Sequence, residues 1–222
     1  MAKNLKKLFL DIDMVNRIKS KMPYLFQLAE MESSRAGKLG MEVGSARERI
    51  IIALLMYKFG EENVETDVPI TKPEIDVFLY QNPISIKTVS GNLAGVKLIW
   101  TVDRRKVLEF YKSYYPSMDM LLAQISWGGI GHLYYFPPES QKRIFERIGR
   151  KNYIKLPKQG TNPRGVEISK NALELLAQDD ETIKIDINWE RKELHYDIYD
   201  RWIELWADRI STYEHNKKLL RA

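Results

Sequence analysis

A chain of 222 residues with 44% hydrophobic and 11% aromatic content can bury a substantial core and is most simply one domain, 1–222, which excludes a wholly disordered protein. It has no cysteine, which excludes disulfides and zinc ribbons, and His132, His195 and His215 have no metal-ligand spacing. No apolar run approaches the roughly 20 residues of a membrane span and no signal-peptide core opens the chain, so a net charge of +5 sits on a protein that reads as soluble and cytoplasmic, with no membrane partner.

In chain order, residues 12–34 form an amphipathic helix, with Met14, Ile18, Met22, Leu25, Phe26 and Ala29 at helical spacing and Pro23 as a point for a kink. Residues 33–44 carry three glycines and read as a loop holding Met41. Ser45-Ala46-Arg47-Glu48 then opens an apolar helix that closes at Phe59-Gly60, where glycine is a natural cap. Glu48 lies in its first turn, and Ser-x-x-Glu is also a capping box, in which Glu48 would bond back to the Ser45 backbone.

Residues 73–90 read as two strands, Glu74–Tyr80 and Ile84–Val89, joined by turn chemistry at Gln81-Asn82-Pro83. Asp76 and Lys87 occupy positions where a buried sheet wants apolar side chains. Either they form a cross-strand ion pair, or they border a metal site with Asp76 as an oxygen ligand.

A third strand spans 96–102. Residues 103–115 form a helix whose first turn carries Arg104, Arg105 and Lys106, cations that oppose the helix dipole and call for an anion nearby. Met120–Trp127, Gly128-Gly129 and Ile130–Phe136 make a second hairpin, and a helix runs from Pro137 to Ile148. A basic segment, about 147–170, holds seven Lys or Arg against Glu167 alone, which suggests a phosphate-facing patch unless it is merely a solvated loop. Its centre presents Lys158, Gln159, Thr161, Asn162 and Arg164, side chains able to meet base edges, with Arg164 the first choice for guanine. A short helix at 169–177, a strand at 182–189 and a long helix at 193–213 follow. The last has Tyr196, Tyr199, Trp202, Ile203, Trp206 and Ile210 on one side, a stripe suited to core or dimer interface.

Pro73-Glu74-Ile75-Asp76 followed by Ser85-Ile86-Lys87 resembles the PD-(D/E)XK nuclease motif. Glu74 is extra, and Ser85 stands where the family has an acid. The missing carboxylate is supplied in several members by the preceding helix, which here points to Glu48. Glu190-Arg191-Lys192 also spells acid-x-Lys, but in a charge run where composition alone explains it.

The resemblance implies an α/β (α+β) fold with a mixed central sheet flanked by helices, and a catalytic core at about 41–136. It implies Glu48, Asp76 and Lys87 as catalytic residues. Mg²⁺ would be held by Glu48, Asp76 and the carbonyl oxygen of Ile86, with Lys87 orienting the attacking water. Within the family the chain looks most like an orthodox Type II restriction endonuclease, and Glu48, Asp76, Lys87 and the Gly-Met loop are similar to the ThaI type, which cuts CG/CG to blunt ends. That implies double-stranded DNA as partner, a palindromic target, a homodimer and a cognate methyltransferase in the host. On such a substrate Met41 either fills a gap against the next helix or enters a base step from the minor groove, with Arg35, Lys38 and Arg47 on the flanking phosphates. A structure-specific nuclease of the same superfamily and a non-catalytic DNA-binding protein are the rival readings.

Overall fold

The computed structural model describes residues 3–35, 38–39, 42–69, 72, 74–157, 165–194, 197, 199, 203 and 206–207. Met41, Lys158, Gln159, Thr161, Asn162 and Arg164 lie outside the described residues, as do Tyr196, Trp202 and Ile210. Arg35 and Lys38 are described in backbone only, where they face each other across a two-residue antiparallel ladder, β1 (Ser34–Arg35) with β2 (Lys38–Leu39).

Two helices precede that ladder, α1 (Lys3–Leu10) and α2 (Ile12–Glu32). The Asp11 carboxylate caps α2 by accepting the Met14 N–H at 3.1 Å. Of the apolar positions expected inside α2, Met14, Ile18, Met22, Phe26 and Ala29 are buried, whereas Leu25 faces outward. Helix α3 (Val43–Phe59) follows and ends at Gly60, whose φ of 92° suits glycine. A 3₁₀ turn (Glu61–Asn63) leads to β3 (Val64–Glu65), then β4 (Val77–Leu79), β5 (Asn82–Ser90) and β6 (Val96–Ile99).

Helix α4 (Arg104–Ser113) is capped by Asp103, and β7 (Asp119–Ile125) and β8 (Gly129–Phe136) make the second hairpin. The chain continues through α5 (Pro138–Ile148), α6 (Arg150–Tyr153), β9 (Ile154–Lys155), β10 (Val166–Ile168), α7 (Lys170–Ala177) and β11 (Ile183–Trp189).

The central sheet has six strands in the order β11-β8-β7-β5-β4-β3. Strands β5 and β7 are parallel and the other neighbours antiparallel, so the sheet is mixed, as expected. Strand alternation builds a core on each face. Leu121, Ala123, Leu133, Tyr135, Ile84 and Ile86 face α1–α3, where Leu8, Ile18, Phe26, Ile51 and Leu55 meet them. Met120, Leu122, Tyr134 and Phe136 face α4–α7 and a second sheet of order β6-β10-β9. Each fully buried Leu, Ile or Phe contributes about 1.5–3 kcal/mol, so these two layers hold the strands that carry the site.

Three expectations shift. Helix α3 starts at Val43, not near Ser45, with Glu42 at its N-cap and no side-chain cap, so the Ser45–Glu48 capping box is not formed. The hairpin turn falls at Tyr80-Gln81, both at positive φ (48° and 63°), with Leu79 opposite Asn82. That is a two-residue turn of the kind Asn-Gly usually makes, and Asn82 supports it by donating to the Leu79 and Tyr80 carbonyls at 3.3 and 3.0 Å. The first strand of the hairpin is only Val77–Leu79, which leaves Asp76 just outside it.

Candidate active site

Asp76 is positioned by the point at which two strands part. Strand β5 pairs with β7 from Ile84 to Ser90, but with β4 only from Asn82 to Ile84. Past Ile84 the β4 side of β5 is left open by any described strand, and the Asp76 side chain occupies the opening. Its N–H donates to the Ile84 carbonyl at 3.0 Å. Its Oδ2 accepts the Ile86 N–H at 2.6 Å, the Lys87 Nζ at 2.8 Å and the Ser85 hydroxyl at 3.3 Å. Ser85, where the motif would place an acid, thus acts as a donor to the acid that is present.

Asp76 and Lys87 therefore do pair, with both side chains 13% exposed. An exposed pair of this kind contributes little, but a half-buried one bordering an open edge fixes where the ammonium sits. The ion pair and a metal-site role are compatible, since a single Asp76 oxygen takes all three bonds.

Glu48 joins this pair from α3, which packs against β5. It is half-buried, and burial pushes its carboxyl up from the usual 4.5; the charge of Asp76 pushes it further, Lys87 and Arg49 pull it back, and the result is about 7. Asp76 and Lys87 act on Glu48 only because the fold has brought the three together. Two carboxylates held close with one lysine are a site that a divalent cation would relieve.

The Ile86 carbonyl faces the same opening. In an extended strand the N–H and C=O of one residue point to one edge, and the Ile86 N–H points to Asp76. Two carboxylates and a backbone carbonyl are hard oxygen donors of the type Mg²⁺ takes. Among the described residues no group of three or more His, Cys, Asp or Glu is gathered.

Arg47 is placed otherwise than expected. Its side chain is 6% exposed, and its guanidinium donates to Glu30 Oε1 at 2.5 Å and to the Ser90 hydroxyl at 3.4 Å, over the Phe26 ring. A guanidinium buried on a carboxylate is spent on the fold and does not reach a phosphate. Sequence reasoning missed its partner: Glu30, 3% exposed, also accepts the Trp127 indole N–H at 2.9 Å and Arg191 Nη2 at 2.5 Å. Arg191 lies 4.3 Å over the Trp127 ring, and the Lys192 backbone exchanges hydrogen bonds with the Gln27 amide. The Glu190-Arg191-Lys192 run is therefore a latch between β11 and α2.

Much of the basic segment is also used internally. Arg150 Nη1 donates to the Tyr111 and Tyr114 carbonyls at 2.6 Å each, closing the end of α4. Lys155 pairs with Glu167 at 3.1 Å and Lys170 with Glu174 at 3.5 Å, while Arg147 and Lys151 are exposed. In the first turn of α4 the expected anion is Asp103, which accepts the Arg105 N–H at 2.8 Å.

An acid pair and a lysine at the parted edge of a mixed sheet suit hydrolysis at phosphorus, and comparison gives that geometry a class. A solved structure described as a restriction endonuclease in complex with substrate DNA superposes with a TM-score of 0.85 at 56% sequence identity, covering 92% of this chain and 99% of that one. The model of the family described as restriction endonuclease ThaI matches residues 8–208, and the chain belongs to that family. No curated protein matches it.

Proposed function

We propose that this restriction endonuclease cleaves double-stranded DNA at a short palindrome, CG/CG with blunt ends by its likeness to the ThaI type, in a Mg²⁺-dependent PD-(D/E)XK centre made of Glu48, Asp76 and Lys87. The observation that carries this is the electrostatic closure of Glu48 onto the Asp76–Lys87 pair at the open edge of β5. Glu48, Asp76 and the Ile86 carbonyl would hold the ion. When bound, the ion supplies positive charge that polarises the scissile phosphate and acidifies water.

The residues of the chain do the rest. Asp76 anchors the Lys87 ammonium and the Ile86 backbone through one oxygen, fixing the lysine before substrate arrives. Lys87 can then orient the attacking water and stabilise the charge that develops on the phosphate. Arg35 and Lys38, ahead of α3, would contact the DNA backbone and Met41 would be the minor-groove wedge, while Lys158, Gln159, Thr161, Asn162 and Arg164 would contact bases. A palindrome cut on both strands calls for a homodimer with one centre per strand, and the host would carry the matching methyltransferase.

Digestion of a plasmid of known sequence with Mg²⁺ tests this. Discrete fragments ending at one palindrome, lost in Asp76→Ala and Lys87→Ala, are expected. Intact plasmid under conditions of tight DNA binding would overturn the catalytic reading.

A further inference from the structure

Past the end of β6 the molecule exposes a large aromatic side chain. Trp100 is 66% exposed and Val102, two residues on, is 69% exposed, although both leave directly from the core strand β6, where Leu98 and Ile99 are buried. A large indole in water forfeits apolar burial unless something covers it.

We propose that Trp100 and the cations around it form a duplex-DNA contact surface adjoining the catalytic centre, an assignment that rests on the nuclease reading above. Three observations converge on it. The first is charge. Lys97 Nζ lies 4.7 Å over the Trp100 ring, and Arg104, Arg105 and Lys106 are all exposed just beyond Val102. Against these stand Asp103, 4.0 Å from Arg105 Nε, and Glu167, which pairs with Lys97 at 2.9 Å and with Lys155 at 3.1 Å. Five cations against two acids around an exposed aromatic suit a polyanion that also offers apolar sugar and base edges.

The second observation is position. Strand β6 lies against β5, and its Leu98 lines a cavity of about 250 Å³ together with Ser85 and Glu74, close neighbours in sequence of Lys87 and Asp76. A duplex seated on the Asp76 cluster thus has the β6 end within its reach.

The third is continuity. Gly165, which leads into β10, is seated on the backbone of this site. A Cβ there would lie 2.0 Å from the Ile99 carbonyl oxygen and 3.2 Å from the Trp100 Cα, and its φ is 111°. Strand β10 is thus rooted at Trp100, and it pairs with β6 and carries Glu167 to Lys97 and Lys155.

Trp100 contributes apolar contact and the cations contribute phosphate contact, and the two separate experimentally. The full-length protein is titrated, without divalent cation, into a fluorescent duplex containing CGCG from about 50 to about 200 mM salt. Trp100→Ala is expected to weaken binding about tenfold or more with an unchanged salt slope, and Trp100→Phe to bind within about threefold of wild type. Arg104→Ala is expected to reduce the salt slope by about one. Wild-type affinity in a folded Trp100→Ala protein that still cleaves would overturn the surface alone. A fall in DNA-free mass on sedimentation of Trp100→Ala would overturn it in favour of contact between copies. Failure of the wild type to bind any duplex would overturn the nuclease reading, and this surface with it.

Discussion

Arg47 and Glu48 are consecutive on α3 and serve different ends of the same contact with β5. Arg47 is buried against Glu30 and the end of β5, while Glu48 answers to the charges of Asp76 and Lys87. One helical turn thus carries both the bond that seats the helix and the carboxylate that the site needs. The seat and the chemistry can be tested apart.

Removing the seat is expected to cost stability. Glu30→Ala leaves Arg47 buried without its carboxylate, which costs about 3–5 kcal/mol. Arg191→Ala removes a half-exposed partner from the same acid and is expected to cost about 1 kcal/mol. Urea denaturation midpoints at constant m-value check both; equal midpoints for Glu30→Ala and wild type would contradict the latch.

The raised carboxyl of Glu48 has a signed consequence for stability. Its folded value, about 7, lies above the usual 4.5, so the folded protein holds the proton more tightly. The resulting stability is complete below 4.5 and is lost as pH rises through about 7. After solvent screening the loss is on the order of 1 kcal/mol. Melting the metal-free protein at about pH 5 and about pH 8 is expected to show this slope in wild type and a flatter one in Glu48→Gln, since Gln cannot titrate.

Two glycines differ in the room they leave for a side chain. A Cβ on Gly131 would meet the Gln124 carbonyl oxygen at 2.2 Å and the Trp189 Nε1 at 2.5 Å, in the middle of β8. Gly131→Ala is expected to destabilise by about 2–4 kcal/mol, read as a thermal shift of roughly 5–15 °C. Gly91→Ala, at a positive φ of 79° but with open space around it, is expected to cost only about 1 kcal/mol.

Asp76 should be the least replaceable of the three site residues. Asp76→Asn keeps one acceptor oxygen for Ile86, Lys87 and Ser85 but removes the negative charge, so the lysine loses its ion-pair partner and a cation loses an anionic ligand. Single-turnover cleavage of a duplex is expected to fall by at least about 10³, with DNA affinity changed by less than about fivefold.

The large elements were legible because their signals are local. The apolar run from Ile50 to Met56 announced α3 and Gly60 its end, and Asp76 and Lys87 stood out as charges in apolar strands. The Tyr80-Gln81 turn was not legible, since neither residue advertises positive φ and the tertiary pairing of β4 with β5 imposes it. Strands β9 and β10, of two and three residues, are too short for any period, so the second sheet was missed. The short run Lys3–Leu10 likewise gave no sign of α1. Arg47 was misread because its fate is decided by Glu30, 17 residues earlier, and by Ser90, 43 residues later. Glu48 is legible only through its conjunction with Asp76 and Lys87 and the family likeness, since the local pattern alone serves equally well for a capping box, which does not form.

Cleavage by Glu48→Gln at saturating Mg²⁺ tests the central claim most directly. The substitution keeps the shape of the side chain and leaves Arg47, Asp76 and Lys87 in place. If Glu48 completes the centre, the single-turnover rate falls by at least about 10³ while duplex binding stays within about threefold of wild type. A rate within about threefold of wild type would mean that Asp76 and Lys87 work without it, and that the closure of α3 onto the open edge of β5 is structural only.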